Sequence, residues 1–113
     1  MLNNLHINIF CRRIQMDVIK NKNGTELYAA VKGRLDTNTA PKLQDELQSE
    51  LSDITDLTLD LNELVYVSSA GLRVILFLQK TMNKQGKMKV KNVCPDVMDI
   101  FDITGFSDIL TIE

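Results

Sequence analysis

Hydrophobic and polar residues alternate from Met16 to Lys32 in a pattern typical of two strands joined by a short turn. Met16 to Lys20 and Thr25 to Lys32 form two such stretches. Asn23-Gly24, between them, supplies turn residues that tolerate a positive φ. The pattern predicts a β-hairpin whose second strand ends at Gly33-Arg34-Leu35-Asp36.

A helix is predicted directly after this hairpin. It is preceded by three residues that can cap a helix, Thr37, Asn38 and Thr39. Pro41 is tolerated in the first turn, and apolar residues recur at helical spacing at Leu43, Leu47 and Leu51. The spacing predicts a helix with one apolar stripe and a charged outer face.

The second half of the chain continues to alternate between strand and helix. Leu57, Leu59 and Leu61 alternate with polar residues, and the apolar run Leu64-Val65-Tyr66-Val67 follows, so we expect a buried strand that leads into Ser68-Ser69-Ala70-Gly71. A helix is predicted from Leu72 to Lys84, ending near Gly86. The remaining predicted elements are a strand from Met88 to Val93, with Lys89 and Lys91 facing out, and a short helix from Pro95 through Phe101. This order predicts an α/β layered fold with a largely parallel sheet beyond the hairpin.

Size and charge exclude several classes of function. The chain has 113 residues and a net charge of −2, which fits one domain. It has no run of Lys and Arg that would follow a phosphate backbone, so we expect no nucleic-acid partner. No apolar stretch approaches the roughly 18 residues of a membrane span, so we expect no membrane partner.

Few side chains suited to catalysis or metal binding are present. The only histidine is His6. The two cysteines, Cys11 and Cys94, are far apart and are expected to be reduced and half-buried, so we expect the protein to be cytoplasmic. Zinc sites and histidine-assisted nucleophiles need more than this. The acidic residues near the C-terminus lack the glycine and terminal glutamate of a calcium loop, and there is no phosphate-binding loop. We therefore expect no enzyme activity, no cofactor and no metal.

Residues 1–15 differ from the rest of the chain because they contain no acidic residue and include Arg12 and Arg13. The arginines follow the apolar residues, whereas a secretory signal places its charges first. The segment is interpreted as a leader, with a start codon assigned too early as one explanation. An added edge strand is another, since Leu5, Ile7 and Ile9 alternate. The domain is predicted to span residues 16–113.

The segment from Tyr66 to Arg73 is a strand-to-helix junction that carries two hydroxyl groups, on Ser68 and Ser69. One interpretation is helix capping by serine. Another is that an exposed serine at a helix start receives a phosphate, whose charge the helix dipole stabilises. A serine-hydrolase elbow is disfavoured, because the flanking glycines and a histidine base are missing.

With its surroundings, this junction resembles the STAS domain of bacterial anti-sigma factor antagonists. The resemblance runs from about Met16 to the C-terminus. It rests on an ordered set of motifs: Gly33-Arg34-Leu35-Asp36 with Thr39-Ala40, Leu59-Asp60-Leu61, Ser69-Ala70-Gly71-Leu72 with Val74-Ile75-Leu76, and Asn92-Val93 through Thr104-Gly105-Phe106. The implied fold is a four- to five-stranded mixed sheet with helices packed mainly on one side.

The resemblance also implies a function in transcription regulation. Members of the family bind an anti-sigma factor that is also a serine kinase, and so release a sigma factor. The kinase phosphorylates a serine at the helix start, which corresponds here to Ser69, and a PP2C-type phosphatase removes the phosphate. The protein would then be a phosphorylated switch. The alternative is a STAS adaptor or scaffold that is not phosphorylated and belongs to another signalling or transport complex.

Two residues depart from the family pattern at the junction. Ser68 stands where the family often has Asp, and Arg73 stands where a small residue is frequent, so Arg73 could pair with a phosphate on Ser69. Ser68 is the second choice as phosphoacceptor. Asp36 matches a family position near the acceptor, but it also fits a turn aspartate that bonds its own backbone.

The predicted helix from Leu72 has an apolar side and an opposite basic side. The basic side carries one aromatic residue, Phe77, together with Arg73, Lys80 and Lys84. Phe77 either contacts a partner or packs under a neighbouring part of the chain. The predicted partner-binding residues are Asp36, Ser68, Ser69, Arg73 and Phe77.

Overall fold

A computed structural model describes residues 16–113, and residues 1–15, with the predicted leader, His6 and Cys11, lie outside the described residues. The first two strands, β1 (Met16–Asn23) and β2 (Glu26–Leu35), form the predicted antiparallel hairpin. Its turn consists of Gly24 and Thr25, while Asn23 pairs with Glu26 at the end of the strand. The prediction of Asn23-Gly24 as the turn is wrong by one residue, because Gly24 alone supplies the positive φ, at 65°.

The first helix, α1 (Ala40–Gln48), buries Leu43 and Leu47 and contains Pro41 in its first turn. The side chain of Thr39, at the N-cap position, makes no capping hydrogen bond to the helix, contrary to the prediction. Leu51 lies beyond α1, in a 3-10 helix (Leu51–Asp53), and it is nevertheless buried. The spacing of the three leucines therefore identified residues that face the core, but not one continuous helix.

Two short strands follow, and both run parallel to β2 on the same side of it. The strand β3 (Asp56–Asp60) pairs with the first half of β2, and β4 (Leu64–Val67) pairs with its last residues. The pairing of β4 shifts register between Gly33 and Arg34, which lie opposite Leu64 and Tyr66, so Val65 has no partner. Such a bulge breaks the alternation of side chains. Val65 and Tyr66 are consequently 61% and 37% exposed, and the prediction of one buried strand across this run is wrong.

The long helix α2 (Ser69–Gln85) confirms the helix predicted after the junction and ends at Gly86. A side chain at Gly86 would collide with the backbone of Thr55, which explains the glycine. The last elements are β5 (Lys87–Lys91) and two helices, α3 (Pro95–Thr104) and α4 (Phe106–Ile109). Beyond α4, Ile112 forms a parallel bridge with Val90 of β5.

The five strands form one mixed sheet in the order β1-β2-β3-β5, with β4 beside β2. Every strand pair except the β1–β2 hairpin is parallel, as predicted. Alternate residues of the strands, such as Leu27 and Ala29, are buried together with the apolar residues of α1, α2 and α3 in one core. The predicted α/β fold, a mixed sheet with helices on one side, is confirmed.

Cys94 is half-buried and has no disulfide partner within residues 16–113, and its Sγ lies 3.3 Å from the carbonyl oxygen of Leu64. None of the helices within residues 16–113 has the length and apolar character needed to cross a membrane.

Candidate functional site

The ends of β2 and β4 and the start of α2 meet at one edge of the sheet. Leu35 and Val67, the last residues of the two strands, lie opposite each other, and the amide of Ser68 donates a hydrogen bond to the carbonyl of Leu35 (2.9 Å). Asp36 and Ser68 are the next residues in each chain segment. This edge therefore contains both Asp36 and the two serines, as the sequence predicted.

The two serine hydroxyls have different environments. Ser68 is the half-buried N-cap of α2, with extended backbone angles (φ −98°, ψ 177°), and its Oγ accepts a hydrogen bond from the amide of Gly71 (3.4 Å). Its carbonyl accepts the amide of Leu72 (2.9 Å). Ser69 is the first residue of the helix and is exposed, and its hydroxyl makes no hydrogen bond to any described residue. The sequence left open whether this junction carries a capping serine or an exposed one. The structure has both, because Ser68 is the cap and Ser69 is the exposed residue.

Gly71 holds the start of α2 close to the two strands. A Cβ atom at this position would lie 2.7 Å from Cγ of Leu35, 2.8 Å from the Leu35 carbonyl oxygen and 2.8 Å from Cγ2 of Val67. Only a residue without a side chain permits this approach. Gly71 therefore fixes where the first turn of α2, including Ser69, sits relative to the sheet.

Asp36 organises the loop between β2 and α1. Its Oδ1 accepts hydrogen bonds from the amides of Asn38 (3.0 Å) and Thr39 (3.1 Å), and its Oδ2 lies 3.9 Å from Nε of Arg34. The Thr39 hydroxyl accepts the Asp36 amide and donates to the carbonyl of Arg34, at 2.8 Å each. Burial alone would raise the pKa of Asp36, but the bonds from Thr39 and Asn38 and the charge of Arg34 together lower it. Asp36 therefore bonds the backbone of its own turn, as one of the two predictions for this residue stated, and it lies at the same edge of the sheet as Ser69.

A stacked pair that the sequence analysis did not identify lies beside these residues. The guanidinium carbon of Arg34 is 4.3 Å from the centre of the Tyr66 ring, in a cation–π contact. The two residues face each other across the β2–β4 pair. Each residue stands one position before the last residue of its strand, Arg34 before Leu35 and Tyr66 before Val67. This equal distance from the strand ends is the signal in the sequence that could have paired them.

Arg73 is exposed on the first turns of α2, and it lines a groove of about 280 Å³ between α1 and α2. No carboxylate within residues 16–113 forms an ion pair with it. The other residues that line the groove are Thr37, Ala40, Pro41, Gln44, Asp45, Ala70 and Val74.

Phe77 is half-buried and packs against the core, while Lys80 and Lys84 are exposed as predicted. Contact with the core therefore buries part of the Phe77 side chain. The rest of the side chain is exposed on the helix side that also carries Lys80 and Lys84.

Within residues 16–113, no three His, Cys, Asp or Glu side chains are arranged to bind a metal ion. The acidic residues near the C-terminus, Asp96, Asp99, Asp102 and Asp108, are all exposed.

The chain is similar to known proteins over nearly all of the described residues. The family model of the STAS domain matches residues 17–113. The anti-sigma-B factor antagonist of Bacillus subtilis (strain 168) is 34% identical over 101 residues, which cover 88% of this chain and 91% of that protein. An anti-sigma factor antagonist from Mycobacterium paratuberculosis, whose crystal structure is solved, matches with a TM-score of 0.79 and 19% identity, covering 87% of this chain and 85% of that one. SpoIIAA of Bacillus, solved in its phosphorylated form, matches with a TM-score of 0.68 and 13% identity, covering 86% and 91%.

Proposed function

Because the chain belongs to the STAS domain family, we propose that it is an anti-sigma factor antagonist, a binding protein that captures an anti-sigma factor and so releases a sigma factor. The anti-sigma-B factor antagonist of Bacillus subtilis aligns with this chain over 91% of its own length. The structural observation that supports a regulated form of this function is the exposed hydroxyl of Ser69 at the start of α2, which makes no hydrogen bond to residues 16–113.

Ser69 is the proposed phosphoacceptor. A kinase must bring the γ-phosphorus of ATP to a serine oxygen, so the oxygen must be reachable by a large partner. In the transfer, Oγ of Ser69 forms the new bond to the γ-phosphorus, the bond from that phosphorus to the bridging oxygen breaks so that ADP leaves with the oxygen, and a base of the kinase accepts the hydroxyl proton. Ser68 fits less well, because it is half-buried and its oxygen already accepts the amide of Gly71. A protein of the same fold, SpoIIAA, has been solved with phosphate attached.

The proposed partner-binding surface consists of Asp36, Ser68, Ser69, Arg73 and Phe77. The first three lie at the edge where β2 and β4 end, and the last two continue along α2. A phosphate on Ser69 adds about −1.5 to −2 charges at neutral pH. Placed inside a docking surface, this charge repels or obstructs a partner without a change of fold. We propose that the protein is cytoplasmic, that its partner is an anti-sigma factor with serine kinase activity and that a PP2C-type phosphatase reverses the modification.

The test is incubation of the protein with ATP and the candidate anti-sigma factor, followed by mass spectrometry of the intact protein and its peptides. We expect one phosphate, located on Ser69, which is absent from the Ser69→Ala variant and retained by Ser68→Ala. Phosphate on Ser68 would move the acceptor by one residue. No phosphate on either serine, together with stable complex formation, would instead support the STAS adaptor that is not phosphorylated.

The contribution of Phe77 is tested separately. Phe77→Ala should weaken binding of the anti-sigma factor, whereas Lys80→Ala, an exposed change on the same side of α2, serves as the matched control. Because part of Phe77 packs against the core, binding must be compared at a temperature where melting curves show both variants to be folded. Equal affinity of the Phe77→Ala variant and the unchanged protein would remove Phe77 from the surface.

A further inference from the structure

We propose that Arg73 binds the phosphate of Ser69 within α2, so that phosphorylation changes the net charge of the Ser69–Arg73 pair from positive to negative. The proposal rests on the phosphorylation of Ser69 proposed above and adds the residue that receives the phosphate.

The helical geometry places the two side chains together. Ser69 and Arg73 are four residues apart in α2, and both are exposed. Residues at this spacing are neighbours on a helix surface, with Cβ atoms about 5–6 Å apart. Long side chains in helices lean toward the N-terminus, and for Arg73 that is the direction of Ser69. The guanidinium group can then meet the phosphate oxygens with two parallel hydrogen bonds.

Arg73 is also free to make this contact. Five other basic residues are within ion-pair distance of carboxylates: Lys20, Lys22, Lys32, Arg34 and Lys87. Arg73 has no such neighbour among residues 16–113, although Asp45 lies in the same groove. A phosphate on Ser69 would therefore not have to displace an existing partner.

The backbone amides that usually receive an anion at a helix start are partly occupied here. The amide of Gly71 donates to Oγ of Ser68, and the amide of Ser68 donates to the carbonyl of Leu35. Two of the four N-terminal amides of α2 that lack a partner within the helix are thus already used. A phosphate on Ser69 gains a further donor from a side chain, and Arg73 is the cation at the matching spacing.

The charge change explains why this contact matters. Before modification, the Ser69–Arg73 pair carries the single positive charge of Arg73. With a dianionic phosphate bound to the arginine, the pair carries about −1. The partner would meet a reversed charge at a fixed position, instead of a mobile phosphate next to an unchanged arginine.

The experiment uses full-length protein with phosphoserine incorporated at position 69 during translation, so that it does not depend on any kinase. The second pKa of the phosphate is measured by ³¹P NMR in the unchanged protein, in Arg73→Gln and in Arg73→Lys. Lys80→Gln is the control, because this exposed lysine lies eleven residues from Ser69 in the same helix, about 16 Å along its axis.

Pairing with Arg73 should make the phosphate pKa about 0.2–0.5 lower than in Arg73→Gln, the size expected of an exposed pair at this spacing. Arg73→Lys should recover part of the difference, Lys80→Gln should match the unchanged protein, and 1 M salt should shrink the effect. Equal pKa values with and without Arg73 would overturn the proposal. Because the phosphate is installed directly, that failure is distinct from failure of the kinase to modify Ser69, which the mass spectrometry reports.

Discussion

Ser68 and Ser69 are adjacent in sequence, yet their replacement by alanine should affect stability differently. Ser68→Ala removes the cap of α2 and leaves the amide of Gly71 without its partner. Replacing a capping serine by alanine costs about 0.5–2 kcal/mol. The Oγ to amide distance of 3.4 Å is long for a hydrogen bond, which places the expected cost near 1 kcal/mol.

Ser69→Ala should leave stability within about 0.5 kcal/mol of the unchanged protein. The Ser69 hydroxyl makes no hydrogen bond to the described residues, and alanine is a better helix former than serine. For a domain of this size, a loss of 1 kcal/mol corresponds to a fall in melting temperature of roughly 4–8 °C. Ser68→Ala should therefore melt several degrees lower, while Ser69→Ala should melt close to the unchanged protein.

The assay is thermal and urea denaturation followed by circular dichroism, with all variants in one buffer. Ser68→Asp is the control, because aspartate caps a helix about as well as serine, and this variant should regain the melting temperature lost in Ser68→Ala. The assignment of the cap would be refuted if Ser69→Ala were as destabilised as Ser68→Ala, or if Ser68→Ala lost nothing. Either result would also weaken the argument that Ser69 is the more accessible acceptor.

Three further predictions concern Gly71 and Asp36 at this edge and the Tyr28–Asp60 pair between β2 and β3. Gly71→Ala should lower the free energy of unfolding by about 1–3 kcal/mol, because its new Cβ would overlap Leu35; an unchanged urea midpoint would show that the helix start can shift without cost. The lowered pKa of Asp36 means that its carboxylate stabilises the fold above the unfolded pKa of about 3.9 and loses this effect as the pH falls through the folded value. Asp36→Asn should therefore lose less stability than the unchanged protein between pH 6 and pH 3, measured by urea denaturation at each pH, and equal losses would contradict this linkage. The hydroxyl of Tyr28 donates to the carboxylate of Asp60, which together with burial raises the pKa of Tyr28. Asp60→Asn should return that pKa toward about 10 in an absorbance titration of protein lacking the other tyrosine, and no movement would argue against the hydrogen bond.

The sequence predicted best those features that depend on local chemistry. Gly24 and Gly86 mark the hairpin turn and the end of α2 because each is needed where a side chain would be strained or would collide. Alternation in β3 and the four-residue spacing in α1 identified the buried residues. These signals depend on residues close together in the chain, so a single sequence contains them.

The errors arose where distant residues decide the outcome. Val65 and Tyr66 are apolar, but their exposure follows from the register of β4 against β2, which shifts at Gly33. Leu51 is buried in the core but belongs to a separate 3-10 helix. The spacing of apolar residues indicates which side chains face the core, but it does not show whether one helix connects them. The contact of Arg34 with Tyr66 likewise requires knowledge that β2 and β4 are neighbours.

The distinction between the two serines shows what the backbone adds to the motif. A capping residue needs extended backbone angles, which Ser68 has, whereas Ser69 already belongs to the helix and is exposed. A carboxylate can replace the capping hydroxyl, so serine at position 68, in place of the Asp expected from the resemblance, preserves the cap and leaves one negative charge fewer beside Ser69, the proposed acceptor. Without that carboxylate, a phosphate on Ser69 would face less competition for the positive charge of Arg73. The departure at Ser68 and the exposed Arg73 are therefore expected to act in the same direction, toward a phosphate that is held on α2.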